Sequence, residues 1–415
     1  MQDKNTTQST FLQLFQPILS KKIWAKIQSA NPGLDRYAKK LHSRQLTQLL
    51  ILAQLKQHRG LDEISKSLAD ERLSHALQLE SISASQLSRR IQTLPTNIAD
   101  LLLAELVRLI GSKTSMDAVR QEIGRLHLVD SSTVSLSLTL YPWARFRKTK
   151  SGIKLHLGLA FFKEMLPVKS IITEAKKNDR TQMNSLVVND PDVINVFDRG
   201  YVDYKQFDAY CEAGIRFVTR LKENACTKEL KAAFSKEDSP IEEDLTVILG
   251  KNYTLMKHEL RLVVTQDTAG NPVMILTNVF EKSAEEISSI YRNRWKIELF
   301  FKWIKQHLQI KHLYGQSPAA VVNQIMIALV TYCALLLLKL LAGYQGSLLH
   351  VTRILKNSMH QAFSSFVKAV HKKHGPSSKG RRRFNHALVY EATVKQVEAG
   401  DYDLLNDLTY DPVIL

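Results

Sequence analysis

The 415-residue chain reads as a mixed α/β (α+β) protein with a helical N-terminal part. Three observations predict this. Over residues 9–112 the apolar residues recur at three- and four-residue steps, the period of a half-buried helix. From residue 123 to 222 the pattern changes to short β-branched runs, several of them alternating. From Ser283 the helical period returns and continues past residue 345.

The elements follow in order. FLQLFQPIL, SRQLTQLLILAQLKQ, LDEISKSLAD and TNIADLLLAELVRLIG are predicted helices, punctuated by Gly33, Gly60 and Pro95. The stretch from Leu61 to about Leu94 has the form of a helix-turn-helix. Its second helix is capped by Ser83 or Ser85 and carries Arg89 and Arg90. In such a pair the second helix meets DNA, although helix pairs with exposed arginines are also common as plain structure. IGRLHLVDSS, TVSLSLTLY, IKLHLGLAFF and VKSIITEA are predicted strands. A helical connection, the strand DVINVF, the helix DYKQFDAYCEAG and the strand IRFVTRLK follow. Residues 223–282 read as a β-rich insertion with strands DLTVILG, LRLVVTQ and PVMILTNV, an acidic turn KEDSPIEED and the turn DTAGNP. The predicted divisions are 1–112 helical, 113–222 and 283–345 the two parts of the α/β core, 223–282 the insertion, and 346–415 a C-terminal helical region and tail. HKKHGPSSKGRRRF, residues 371–384, is a basic loop suited to a phosphate backbone or to a solvated linker.

Composition narrows the function. Lys and Arg number 57 against 40 Asp and Glu, a formal net charge of +17. A field of that sign favours polyanions, nucleic acid before anionic membrane. Three cysteines without a CxxC pair exclude a disulfide scaffold and a thiolate zinc site, and fit a reducing cytosol. The opening MQDKNTTQSTFLQLF lacks the order of a signal peptide. Residues 313–338 carry no charge and are long enough to span a bilayer. Asn323, Gln324, Thr331 and Tyr332 interrupt them, so a buried core helix is expected and no membrane association.

Three acids stand out by position. Asp130 closes the apolar run RLHLV, Asp198 closes VINVF, and Glu298 is the single acid of the basic, aromatic stretch YRNRWKIELFFKWIK. Carboxylates at the C-terminal ends of strands lie on the rim where α/β proteins place ligands. Together with a third acid from a packed helix they can hold two divalent cations, Mg²⁺ or Mn²⁺, about 4 Å apart for phosphodiester chemistry. At about 100° per residue, Tyr291, Arg294, Glu298 and Lys305 share one helix face. Ile297, Phe301, Ile304 and Leu308 form an apolar stripe beside it. Arg, Lys and Tyr in that place are phosphate ligands.

These residues resemble a known family. Tyr291-x2-Arg294-x3-Glu298-x6-Lys305 is similar to the Y-R-E-K signature of the insertion-sequence-4 family of DDE transposases. Asp130 in VDSST and Asp198 in FDRGY resemble its first two catalytic acids, and KLHLGL and TEAKKND resemble stretches between them. The N-terminal helices look like the DNA-binding domain of a bacterial subgroup. The resemblance implies an RNase H-like core with a β-rich insertion, in which Asp130, Asp198 and Glu298 hold two Mg²⁺ ions, with Mn²⁺ able to substitute. It also implies that Tyr291, Arg294 and Lys305 hold phosphates, with Arg199 beside them and Arg89 and Arg90 on the helical domain. The implied activity is cut-and-paste transposition: water cuts the transposon end, the freed 3′-OH forms a hairpin that is resolved, and the 3′-OH then attacks target DNA. The implied partners are double-stranded terminal repeats and target DNA, with a homodimer holding two ends in the bacterial cytoplasm at the nucleoid. Some relatives stack a flipped base on a Trp of the insertion; residues 223–282 contain none, and Tyr253 is the aromatic that could replace it. The competing expectations are an RNase H-like nuclease without strand transfer and a non-catalytic DNA-binding derivative.

Overall fold

A computed structural model describes residues 8–113, 125–161, 164–222, 224–233, 239–267 and 270–372. The basic loop 371–384 lies almost wholly outside these residues, as does the tail that follows it.

Seven helices come first: α1 (Thr10–Leu19), α2 (Lys21–Ala30), α3 (Ser43–Lys56), α4 (Leu61–Lys66), α5 (Glu71–Leu77), α6 (Ala84–Thr93) and α7 (Asn97–Gly111). Local sequence explains their starts. Ser9, Ser20 and Asp70 accept from backbone N–H groups of the first turns of α1, α2 and α5. At α6, Ser83 and Gln86 close a reciprocal capping box, which settles the cap in favour of Ser83 over Ser85. The expected helix pair gains a third member, α5, between α4 and α6.

The central part holds β1 (Arg125–Leu136), β2 (Arg145–Arg147), β3 (Lys150–Phe161), β4 (Met165–Glu174), the short α8 (Met183–Leu186), β5 (Val193–Phe197), α9 (Tyr204–Glu212) and β6 (Arg216–Arg220). After it come β7 (Thr227–Ala233), β8 (Ile241–Leu249), β9 (Leu260–Gln266) and β10 (Pro272–Thr277). Among the described residues all ten strands belong to one sheet, in the order β2-β3-β1-β5-β6-β10-β9-β8-β7, with β4 on β3. The strands β4, β3 and β1 form an antiparallel meander, and β1, β5 and β6 run parallel. The strands of residues 223–282 extend this same sheet, because β10 pairs with β6.

Two expectations are corrected here. HLVDSS and TVSL are one strand, not two, since β1 pairs with β3 without interruption from Leu126 opposite Phe161 to Leu136 opposite Ser151. Asp130 is therefore inside β1 rather than at its end. The unexpected β7, TKELKAA, lies at the sheet edge, where charged residues are tolerated on both faces.

The C-terminal part consists of α10 (Ala284–Arg292), α11 (Trp295–His307), α12 (Pro318–Leu341), α13 (Leu348–Ser358) and α14 (Phe363–His371). The apolar helix α12 is long and apolar enough to cross a membrane, yet 94% of its most apolar window is buried inside the fold. It packs against α1, α3, α6, α7 and α13, and against β4 and α11. One apolar core thus runs from Phe11 through Leu157 and Leu329 to Phe366.

Candidate active site

The register of two parallel strands sets the first two acids. Val129 of β1 stands opposite Phe197 of β5, the last paired position. The next residue on each strand is Asp130 and Asp198. They leave the parallel ladder at one level, as neighbours. Beyond that point β1 continues along β3 while β5 turns away through a 3-10 turn at Arg199–Tyr201. That divergence opens the rim of the sheet.

Helix α11 supplies the third acid. Ile297, Phe301 and Ile304 are buried, as is Leu308 just past its end, so the expected apolar stripe anchors the helix. It packs on β1. However, YRNRWKIELFFKWIK is not one continuous helix. The chain tightens at Asn293 and Arg294, where Arg294, Lys296 and Ile297 donate to carbonyls three residues back. Tyr291 therefore lies in the last turn of α10, and Arg294 caps the start of α11.

This break turns Arg294 into the rim. Its Nη1 lies 2.5 Å from Glu298 Oε1 and 3.7 Å from Asp130 Oδ2. All three side chains are largely buried. Burial pushes Asp130 up to about 7; Arg294 opposes the shift, while Glu298 and Asp198 add to it. Burial pulls Arg294 down, but Glu298, Tyr291 and both aspartates outweigh it and hold the guanidinium charged well above its ordinary range. Tyr291 is raised to about 12, first by burial, and Asp198 and Arg294 both lie close enough to act on it.

The other expected residues sort themselves by distance. Lys305 sits two turns along α11 from Glu298, roughly 10 Å further down the axis. Arg199 is exposed directly after Asp198. Arg89 is exposed on α6, in the helical layer and away from the rim. Arg90 is turned inward to an ion pair with Asp35 and a 3.3 Å contact with Ser43 Oγ. That pairing ties α6 to the loop ahead of α3. Tyr253 is fully exposed in the turn between β8 and β9, where Lys251 and Thr254 line a small cleft together with Lys205 and Lys222.

Sequence reasoning missed a polar flank beside Asp130. Ser131 Oγ donates to Asp179 Oδ1 at 2.8 Å, and Lys154 Nζ approaches the same oxygen at 3.0 Å. Buried His156 lies 3.5 Å from it and bonds Thr173. Tyr201, buried three residues after Asp198, feels both Asp130 and Asp179. The signal was the stretch TEAKKND, which contributes Asp179. Arg220, at the end of β6 and within electrostatic reach of Tyr291, was also missed.

Hard carboxylate oxygens on a sheet rim, with Asp130 held up first by burial and then by Glu298 and Asp198, suit a divalent cation. Among the described residues, no three His, Cys, Asp or Glu side chains are drawn together closely enough to hold a metal as they stand. Arg294 spans the interval between Asp130 and Glu298.

The comparisons with known proteins fit this arrangement. Residues 124–334, from the start of β1 into α12, match the family described as Transposase DDE domain. The chain belongs to the DDE transposase family. It is 30% identical over 254 residues to "Probable transposase for insertion sequence element IS5377" of Geobacillus stearothermophilus, covering 60% of this chain and 66% of that one. It is 29% identical over 239 residues to "Putative transposase y4zB" of Sinorhizobium fredii, covering 56% and 66%. It is 28% identical over 236 residues to "Putative transposase for insertion sequence element IS4SA" of Synechocystis, covering 54% and 63%. The chain spans just under two thirds of the length of these relatives. The matched family region contains Asp130, Asp198, Arg294 and Glu298 and leaves the first seven helices outside it.

Proposed function

We propose that this DDE transposase cleaves DNA at the ends of an insertion sequence and joins the freed 3′ end to target DNA, in the manner of the insertion-sequence-4 family. The observation that carries the reading is the convergence of Asp130 and Asp198, one step past the parallel pairing of β1 and β5, with Glu298 of α11 above them. The order β4-β3-β1-β5-β6, antiparallel then parallel, supports an RNase H-like core.

Asp130, Asp198 and Glu298 would hold the metal. Two Mg²⁺ ions, when bound, supply Lewis-acid stabilisation of the attacking and leaving oxygens. Arg294 balances the acids before DNA arrives and offers a forked donor to a phosphate afterwards. Tyr291 keeps its proton at neutral pH, so its hydroxyl donates. Lys305 and exposed Arg199 extend the positive rim along the backbone of the transposon end. Exposed Tyr253 offers a face for a flipped base, which supports a hairpin route. Two ends require two active sites, hence a homodimer, acting on double-stranded DNA in the bacterial cytoplasm at the nucleoid.

A labelled duplex carrying the transposon end, incubated with Mg²⁺ and a plasmid target, tests this. Wild-type protein yields cleaved end and joined plasmid. Glu298→Gln should bind the duplex as wild type does and lose cleavage by about a thousand-fold or more. Undiminished cleavage by that variant refutes the site. Cleavage without any joined product assigns the protein to the nucleases instead.

A further inference from the structure

The polar flank beside Asp130 has a task that the three acids leave open. Side chains alternate along a strand, so Asp130 and Ser131 point to opposite faces of β1. Asp130 meets Arg294 at the start of α11, whereas Ser131 meets Asp179 on the other face. Strand support is thin at this step. At Val129, β1 still pairs with both β3 and β5; from Asp130 onward it pairs with β3 alone. The Ser131 N–H donates to Asp130 Oδ1 at 2.7 Å, so the direction of that carboxylate depends on where the Ser131 backbone sits.

Asp179 heads a 3-10 turn, Asp179–Gln182, between β4 and α8. Its Oδ1 accepts from Ser131 Oγ at 2.8 Å and pairs with Lys154 Nζ at 3.0 Å, with buried His156 at 3.5 Å. Lys154 and His156 stand on β3 opposite Thr133 and Ser131, so one carboxylate oxygen joins both strands of the ladder. Lys154 also donates to the Lys177 carbonyl at 3.1 Å, which ties the segment ahead of the turn to β3. Asn178 caps the turn by accepting from the Arg180 N–H. The same turn packs on the 3-10 turn Arg199–Tyr201, the first residues after Asp198. Arg180 Nη1 lies 3.9 Å from Asp203 a little further on. Buried Tyr201 comes within electrostatic reach of Asp130, Asp179 and Asp198 together. The turn headed by Asp179 therefore touches the chain beside both aspartates, where their strands part.

We propose that Asp179 is a positioning residue for the rim: from the opposite face of the sheet it fixes Ser131 and, through the turn Arg199–Tyr201, sets the spacing of Asp130 and Asp198. The inference rests on the reading of those two acids as cation ligands and adds a residue to it. Asp179 meets neither the DNA nor the cation and acts through the backbone. A cluster of charges that served stability alone would do so anywhere on the surface. This one is joined to the two segments whose offset decides whether two carboxylates can share an ion. Ligand positions in such a site must hold to about 0.2 Å. Groups that brace a ligating carboxylate from behind are worth about 10–100-fold in metal affinity or activity. Asp179 supplies that bracing where β1 has lost β5 as a neighbour.

The test uses the full chain with Asp179→Ala, Ser131→Ala and Asp179→Asn, and reads two quantities. The first is the Mg²⁺ concentration that gives half the rise in melting temperature, without DNA. Asp179→Ala and Ser131→Ala should raise it by about ten-fold or more. The second is the cleavage rate at saturating labelled duplex, copied from the DNA flanking the coding sequence. Both variants should lower it by about 10–100-fold and leave the Kd for that duplex as in wild type. Asp179→Asn keeps an oxygen for the Ser131 hydroxyl and should recover most of both losses. Ser131→Ala removes a single hydroxyl, so the test survives a failure of the Asp179 variants to fold. If the variants melt earlier but keep the wild-type Mg²⁺ midpoint and, well below melting, the wild-type cleavage rate, Asp179 serves stability alone and the inference falls. If the wild-type chain cleaves no duplex yet the Mg²⁺ midpoint shifts as stated, the transposition reading falls and the positioning of the acids stands.

Discussion

Two regions of the molecule set a helix-borne cation against acids, in opposite proportions. In the interior, Lys339 of α12 is fully buried and meets Glu164, just before β4, at 2.9 Å. At the rim, Arg294 faces Glu298 and Asp130, with Asp198 close behind. The interior pair balances itself and lies within the packed core. At the rim one guanidinium stands among three acids next to solvent. A balanced buried pair belongs to the architecture; the three acids at the sheet rim are, in the function proposed above, the place for a divalent cation.

Four experiments sharpen or break that contrast. Lys339→Met should cost the largest stability, about 3–5 kcal/mol in chemical denaturation, because it strands the Glu164 charge in the core. Adding Glu164→Leu should recover most of the loss, and Mg²⁺ should change neither result. Second, acid should act on the interior. His127 of β1 is buried, donates its Nε2 proton to the Leu186 carbonyl, and has its pKa lowered from 6.5 to about 4 by burial. The unfolded chain takes up this proton first as pH falls. This contribution is complete above pH 6.5 and is lost between 6.5 and about 4, by up to ~3 kcal/mol. His127→Gln should flatten that part of a stability–pH curve.

Third, Arg294→Met should cost ~2 kcal/mol in EDTA, since it removes the guanidinium that Glu298, Asp130 and Asp198 share. Millimolar Mg²⁺ should restore most of this, read as a melting-temperature shift without any DNA present. A variant that ignores Mg²⁺ would make the rim resemble the Lys339 pair and remove the contrast. Finally, Lys305→Ala should move stability by no more than ~0.5 kcal/mol. Its effect should fall on the salt dependence of end binding, with a slope lower by about 0.9.

The sequence disclosed the rim better than the layers around it. Asp130 and Asp198 were legible because each follows an apolar run at the point where parallel pairing stops. Glu298 was legible through the apolar stripe beside it. The tightening at Asn293–Arg294 was hidden: no Gly or Pro marks it, and Asn293 supports it by donating to the Ser289 carbonyl. The inward turn of Arg90 was hidden too, because its partner Asp35 lies 55 residues earlier in a loop. Burial of α12 was expected from its polar interruptions, but its neighbours were not, since only three-dimensional packing selects α1, α3, α6 and α7. One of those interruptions, Asn323, in fact reaches the Leu94 carbonyl just beyond α6 at 2.8 Å.

That shared helix has a consequence for how the protein is made. A ribosome completes α7 when roughly 200 residues still separate it from the first turn of α12. At ~5–20 residues per second the wait is roughly 10 to 40 seconds. Throughout it, the sides of α3 and α7 destined for α12 have nothing to close on. The nascent chain therefore carries those apolar sides open until α12 emerges, and any product that terminates before Pro318 leaves those helices without the partner that completes them.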